Sequence, residues 1–183
     1  MSVSHTVPTP ICDRKMLQLP DGCLSIAPRL AAKILEGCAF SVSHRFEGVA
    51  SGASEDVYFG NPAGSGVSLY VAVIEVVSFA QAWVDIYRGN DVVSPGTALE
   101  PMNLHLGHTR SSAARVEYGG TYGTGKRAHS TVCPGGSRIR AVGGIVEVGE
   151  TVVLPEGHDL LVRVTNKSAS AADFSVRIIW WEE

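Results

Sequence analysis

The stretch Gly120-Thr121-Tyr122-Gly123-Thr124-Gly125-Lys126 satisfies the pattern GxxxxGK, in which backbone amides and a lysine cradle phosphates. A working phosphate loop also needs Ser or Thr after the lysine, to hold magnesium, and a helix whose N-terminus faces the phosphates. Here Arg127 follows and the next residues read as a strand. The spacing therefore reads as a surface loop between strands, with glycines permitting positive φ. His105 and His108 sit in HLGH. On a strand, residues three apart point to opposite faces, so a shared metal would need a turn at Gly107 to bring them together. The HxH pair of a cupin metal site is missing. No serine lies in GxSxG, and nothing near Cys133 in sequence would activate its thiol. Glu75 and Asp85 fall on largely apolar segments, where a carboxylate either does acid–base work or pairs with an arginine such as Arg88 or Arg177. None of these constellations is complete. The chain reads as a protein that is not an enzyme, with no catalytic, cofactor-binding or metal residues assigned.

The aromatic and apolar residues are more informative. Trp180 and Trp181 are consecutive on a strand and so face opposite ways. One fills the core. The other, beside Ile179, either makes a contact surface or lies under an N-terminal arm. Val67 to Phe79 is apolar on both faces, with Leu69, Val71 and Val73 on one and Tyr70, Ile74 and Val76 on the other. Such a strand is central in a sheet or lies at a subunit contact. Pro28 to Glu36 predicts one short helix, with Pro28 at its first position, Leu30, Ile34 and Leu35 marking a face and Gly37 ending it. The candidate interface set is thus Leu30, Ile34, Tyr70, Ile74, Val76, Ile179 and Trp181. Tyr118 and Tyr122, flanking the glycine-rich turn, form a candidate ligand loop, with Trp83 as a further aromatic able to take a sugar.

The elements that must position these residues are strands. From Ala39 onward, apolar and polar residues alternate: Phe40, Val42, His44 and Phe46 against Ser41, Ser43, Arg45 and Glu47. About nine or ten strands recur at spacings near 8–12 residues, among them Glu55–Phe59, Gln81–Arg88, Ala98–Leu106, Ala113–Tyr118, His129–Val132, Ser137–Val142, Ile145–Val148, Thr151–Leu154, Asp159–Thr165 and Phe174–Trp181. Helical patterns between strands are lacking, which excludes an α/β fold. The expected fold is an all-β antiparallel sandwich, or jelly roll, over residues 39–183, preceded by an arm over 1–38 that contains the helix.

Composition agrees. The chain has 183 residues, 45% apolar and only 18% charged, with 20 glycines. That suits one domain of short strands and tight turns whose surface is partly covered by a partner. The net charge of −3 and the scattered basic residues argue against nucleic acid as a partner. No apolar run of membrane-spanning length occurs, and the opening MSVSHTVPTP does not read as a secretory signal. Of the four cysteines, Cys12, Cys23, Cys38 and Cys133, none forms a CxxC pair, and free, mostly buried thiols are expected. Asn166-Lys167-Ser168 is a lone sequon.

The ending TVVLPEGHDLLVRVTNKSASAADFSVRIIWWEE, residues 151–183, resembles the final hairpin of phage and other viral structural proteins. In these an LPxG turn leads to a strand of the form LxVRVTN, then a small-residue loop and a strand ending in aromatics. The chain is similar in this to jelly-roll head decoration (cement) proteins and fibre-head domains of tailed phages. The resemblance implies a virion protein on the capsid surface that stabilises the shell through oligomeric contacts. Its expected partners are itself, with a trimer favoured, and a major capsid protein. A fibre-head module binding a host-surface glycan and a small single-jelly-roll major capsid protein are the competing implications.

Overall fold

The computed structural model describes residues 17–18, 24–25, 29–135, 142–143 and 151–183. In chain order these form Leu17–Gln18 (β1), Leu24–Ser25 (β2), Arg29–Leu35 (α1), Ala39–Val49 (β3), Ser54–Gly60 (β4), Leu69–Ser78 (β5), Ala82–Arg88 (β6), Asp91–Ser94 (β7), Thr97–Ala98 (β8), Met102–Asn103 (β9), Arg115–Tyr118 (β10), Thr121–Gly123 (β11), Lys126–Cys133 (β12), Val142–Gly143 (β13), Val152–Leu154 (β14), Asp159–Asn166 (β15) and Ala172–Glu182 (β16). Most of the predicted arm, and the strands expected over 137–142 and 145–148, lie outside the described residues apart from β1, β2, α1 and β13.

Two antiparallel sheets form a sandwich. The first runs β12-β6-β15-β4-β10-β8 and the second β13-β5-β16-β3-β9, with β14 also pairing β5. A ribbon of β7 and β11 stands beside the first sheet. The inward residues of both sheets close one core: Val57 and Phe59 of β4, Val84 of β6 and Val162 and Val164 of β15 meet Phe40 of β3, Ile74 and Val76 of β5, and Phe174, Val176, Ile178 and Trp180 of β16. Phe59 meets the Trp180 ring edge-on at 4.9 Å, and Phe40 lies 6.0 Å away on the same ring. The all-β sandwich with a short helix is therefore the fold, as the alternation of the sequence indicates.

One face assignment is corrected. Along β16, Ile179 pairs with Val73 but Trp180 pairs with Val71, so Ala72 is an extra residue opposite no partner, a β-bulge. Leu69 and Val71 face the core before it; Ile74, Val76 and Ser78 face the core after it. Val73 consequently points outward, and Ile74 and Val76, at 1% and 0% exposure, point inward. These two leave the candidate interface set because the bulge turns them into the core.

Candidate contact surface

The outward face of the second sheet gathers the rest of the interface set. Trp181 follows inward-facing Trp180 and so points out, where its ring stacks on Tyr70 at 5.2 Å and 5°. The Arg29 guanidinium covers both rings, 5.3 Å from the Tyr70 centroid and 5.6 Å from that of Trp181. Of the two readings open for Trp181, the geometry gives cover within the chain: it is 4% exposed.

The cover is α1. Gly37, at φ 70°, ends the helix as only glycine does cheaply, with the Gly37 amide donating to Ile34 O and that of Cys38 to Lys33 O. No residue of α1 is buried. Leu30 and Ile34 are half-buried and Leu35 is 62% exposed. Charge holds the helix down: Arg29 reaches Glu183 at 2.6 Å, and Lys33 reaches Glu183 at 3.0 Å and Glu36 at 2.8 Å. Burial alone would raise the Glu183 carboxyl, but hydrogen bonds from Arg29 and Lys33 outweigh it and hold its pKa below the ordinary value. Burial likewise works against the Lys33 ammonium, yet its bonds to Glu36 and Glu183 leave its pKa raised.

Beyond the helix the face continues in rows set by strand register. Val73 sits beside Ile179, Glu75 beside Arg177 and Val77 beside Ser175. The Glu75–Arg177 pair is loose, at 3.9 Å, with both groups partly in solvent. On the flank, Val153 of β14 lies beside Tyr70 and is 47% exposed. The outward residues of β3, by contrast, are Ser41, Ser43, Arg45 and Glu47. Half of the face is thus apolar about one ion pair, and half is polar.

The candidate ligand loop is built differently from its expectation. Tyr122 is 7% exposed and stacks on Tyr58 at 5.4 Å and 9°. The glycines around it exist for close approach: a Cβ on Gly120 would lie 2.5 Å from the Tyr122 hydroxyl oxygen, and one on Gly125 would lie 2.1 Å from Arg88 O. Gly120 to Lys126 leads into β12 rather than into a helix. Tyr118 is half-buried with His44 stacked at 3.6 Å, and burial lowers the His44 pKa. On the outward face of the first sheet, Lys167 Nζ stands 4.0 Å over the Trp83 ring and Arg163 stands 5.6 Å over Tyr87. A sugar stacks on an open ring face, and each of these rings has a face already taken.

Sequence reasoning missed two buried carboxylates. Glu117, 6% exposed, accepts from Arg115 Nε at 2.5 Å, Gly96 N at 3.1 Å and the Tyr122 hydroxyl at 3.5 Å. Burial pushes its carboxyl up, but these donors, Arg115 foremost, bring its pKa below the ordinary value. Glu182, 2% exposed, accepts from Ser112 Oγ at 2.6 Å, Ala113 N at 2.9 Å and Trp180 Nε1 at 3.4 Å, with Arg110 Nη2 at 3.4 Å. Arg115 two residues before Glu117 on one strand face was the available signal for the first. Nothing in the run WWEE separates Glu182 from Glu183.

The remaining chemical candidates are placed as follows. The His105 and His108 rings meet edge-on with centroids 6.0 Å apart. Among the described residues no three His, Cys, Asp or Glu side chains gather as metal donors. Cys133 is fully buried and Cys38 half-buried; Cys12 and Cys23 lie outside the described residues. Asp85 pairs with Arg127 at 3.5 Å rather than with Arg88. Asn166 of the sequon is 0% exposed, and its side-chain amide donates to Val49 O and Ser170 O, holding the turn before β16. Among the described residues no helix is long and apolar enough to cross a membrane.

No family model matches the sequence, and no curated protein or solved structure matches it either.

Proposed function

We propose that this chain is a virion structural protein, a capsid decoration (cement) protein that stabilises a viral shell by contact and catalyses nothing. The observation that carries the reading is the strand order. Setting aside β7–β11, inserted between β6 and β12, and the short β13, the chain lays down β3, β5, β14 and β16 in one sheet and β4, β6, β12 and β15 in the other. The orders β3-β16-β5-β14 and β4-β15-β6-β12 support a jelly-roll reading of the sandwich, in which two sheets are woven from alternate strands. This supports the fold that the resemblance of residues 151–183 implies. The outward face of the second sheet, apolar around Val73 and Ile179, supports action by burial against a partner, at roughly 25 cal/mol per Å² before the entropic cost of association. The partners are further copies of the chain and a major capsid protein.

Mass spectrometry of particles purified from cultures that express the chain tests this. The protein is expected in the particle in a fixed ratio to the major shell protein, and released from it without loss of the shell lattice. Its absence from purified particles overturns the reading.

A further inference from the structure

We infer that the outward face of the second sheet, centred on Glu75 and Arg177, is a self-complementary surface that binds a second copy of this chain about a two-fold axis. In a two-fold contact each patch meets its own copy, so the patch must complement itself in charge and in apolarity. Glu75 on β5 and Arg177 on β16 lie side by side, one row from Val73 and Ile179 and one row from Val77 and Ser175. Let the axis run along the strands between β5 and β16. Rotation about it sets each β5 over the partner's β16 and keeps every row opposite itself. Glu75 then meets the partner's Arg177, and Arg177 meets the partner's Glu75. Val73 meets the partner's Ile179. An axis across the strands would instead reverse the rows and set like charges together.

The helix fits the same operation. α1 packs beside β3 and β16, so rotation places it across from the partner's β14. Leu35, 62% exposed, and Val153, 47% exposed, are apolar side chains that the chain leaves largely uncovered, and this brings them to the same side of the contact. The intrachain ion pair is long and both groups keep solvent contact, with 32% of the Glu75 and 48% of the Arg177 side chain exposed. Each therefore has room for a second partner of opposite charge. Such a patch closes at two copies rather than the three that the resemblance to decoration proteins implies.

The inference rests on the assembly reading, but the two fail separately. A chain present in particles yet monomeric in solution sinks only the pairing; a chain dimeric in solution yet missing from particles sinks only the virion role. The test is solution mass by light scattering on the full chain, with Glu75→Arg and Arg177→Glu made singly and then mixed. Wild type is expected at twice the chain mass. Each reversal alone sets like charges across the axis and is expected to give monomer. An equimolar mixture restores both cross-axis pairs, though not the pair within either chain, and is expected to return to twice the chain mass. Ile179→Lys, which leaves the ion pair intact, is expected to give monomer as well. Wild type at one or three chain masses, reversals that remain dimeric, or a mixture that stays monomeric each overturns the pairing.

Discussion

Glu117 stands on β10, where the segment inserted between β6 and β12 pairs with β4 of the first sheet, and it holds that segment together: its carboxylate takes the Gly96 amide, the Tyr122 hydroxyl and the Arg115 guanidinium of its own strand. A buried acceptor deprived of its charge leaves these donors poorly matched, so Glu117→Gln is expected to cost about 1–3 kcal/mol in chemical denaturation. The same residue gives stability an acid limb. Its folded pKa lies below the ordinary 4.5 that the unfolded chain shows. As pH falls past 4.5 the unfolded chain takes up the proton first, and stability present above that value is lost until the folded carboxyl is protonated too. Thermal melts stepped down from neutral pH should show this loss below about 4.5, and Glu117→Gln should flatten it; an unchanged acid limb in the variant would refute the assignment. The tyrosine that Glu117 holds was legible as an aromatic in a glycine-rich turn, which in sequence looks like an exposed loop. What the residues could not tell is that the glycines make room for Tyr122 to lie down on Tyr58, because that contact joins β11 to β4 across the whole of β5, β6 and most of the inserted segment.

At the scale of elements, period-2 reading succeeded wherever a strand keeps its register and failed where a bulge interrupts it. β3, β15 and β16 carry their inward residues as the alternation has them. β5 does not, since Ala72 adds one residue without any side-chain signal and turns over everything after it. β7 and β11 escaped notice because they pair only with each other, outside the sandwich, in stretches punctuated by glycine. Deleting Ala72 is therefore expected to be tolerated: it removes only the residue opposite no partner, so Val71 and Val73 stay across from Trp180 and Ile179, and Ile74 and Val76 still face the core while Glu75 still faces outward. Near-ultraviolet circular dichroism and a melting transition like those of the full chain are the expected result; a deleted chain that fails to fold would show that the bulge does more than correct the alternation. The helix makes a milder prediction. α1 buries no side chain of its own and lies over Trp181 through Arg29, while the Arg29–Glu183 pair is largely in solvent, at 59% and 27% exposure. Arg29→Ala in a Trp83→Phe background is expected to raise acrylamide quenching of tryptophan fluorescence while changing unfolding free energy by less than about 1 kcal/mol. Quenching that does not move would mean that Arg29 is not what shields Trp181.

For the molecule as a whole, strand rhythm announced an all-β sandwich but not the order of strands, because every pairing that defines the order is long-range. The first long strand, β3, pairs with the last, β16, and β16 also pairs with β5. In the other sheet β15 lies between β4 and β6. Residues 159–182 thus supply a central strand to each sheet, and Phe174, Val176, Ile178 and Trp180 to the core between them. Without them β4 and β6 have no common neighbour, and neither do β3 and β5. A chain ending at His158 is therefore expected to be unfolded, with no partial sandwich left. For the same reason the full chain should unfold in one step, with far-ultraviolet dichroism and tryptophan fluorescence giving coincident denaturation curves. It should refold slowly, in milliseconds to seconds or longer, since closing the loops from β3 to β16 and from β4 to β15 must precede the contacts that reward it. Stopped-flow refolding with complete signal change inside a sub-millisecond dead time, or denaturation curves that separate by probe, would mean that some part of the sandwich folds without its two last strands. The weave would then not be the unit of cooperativity that its topology makes it.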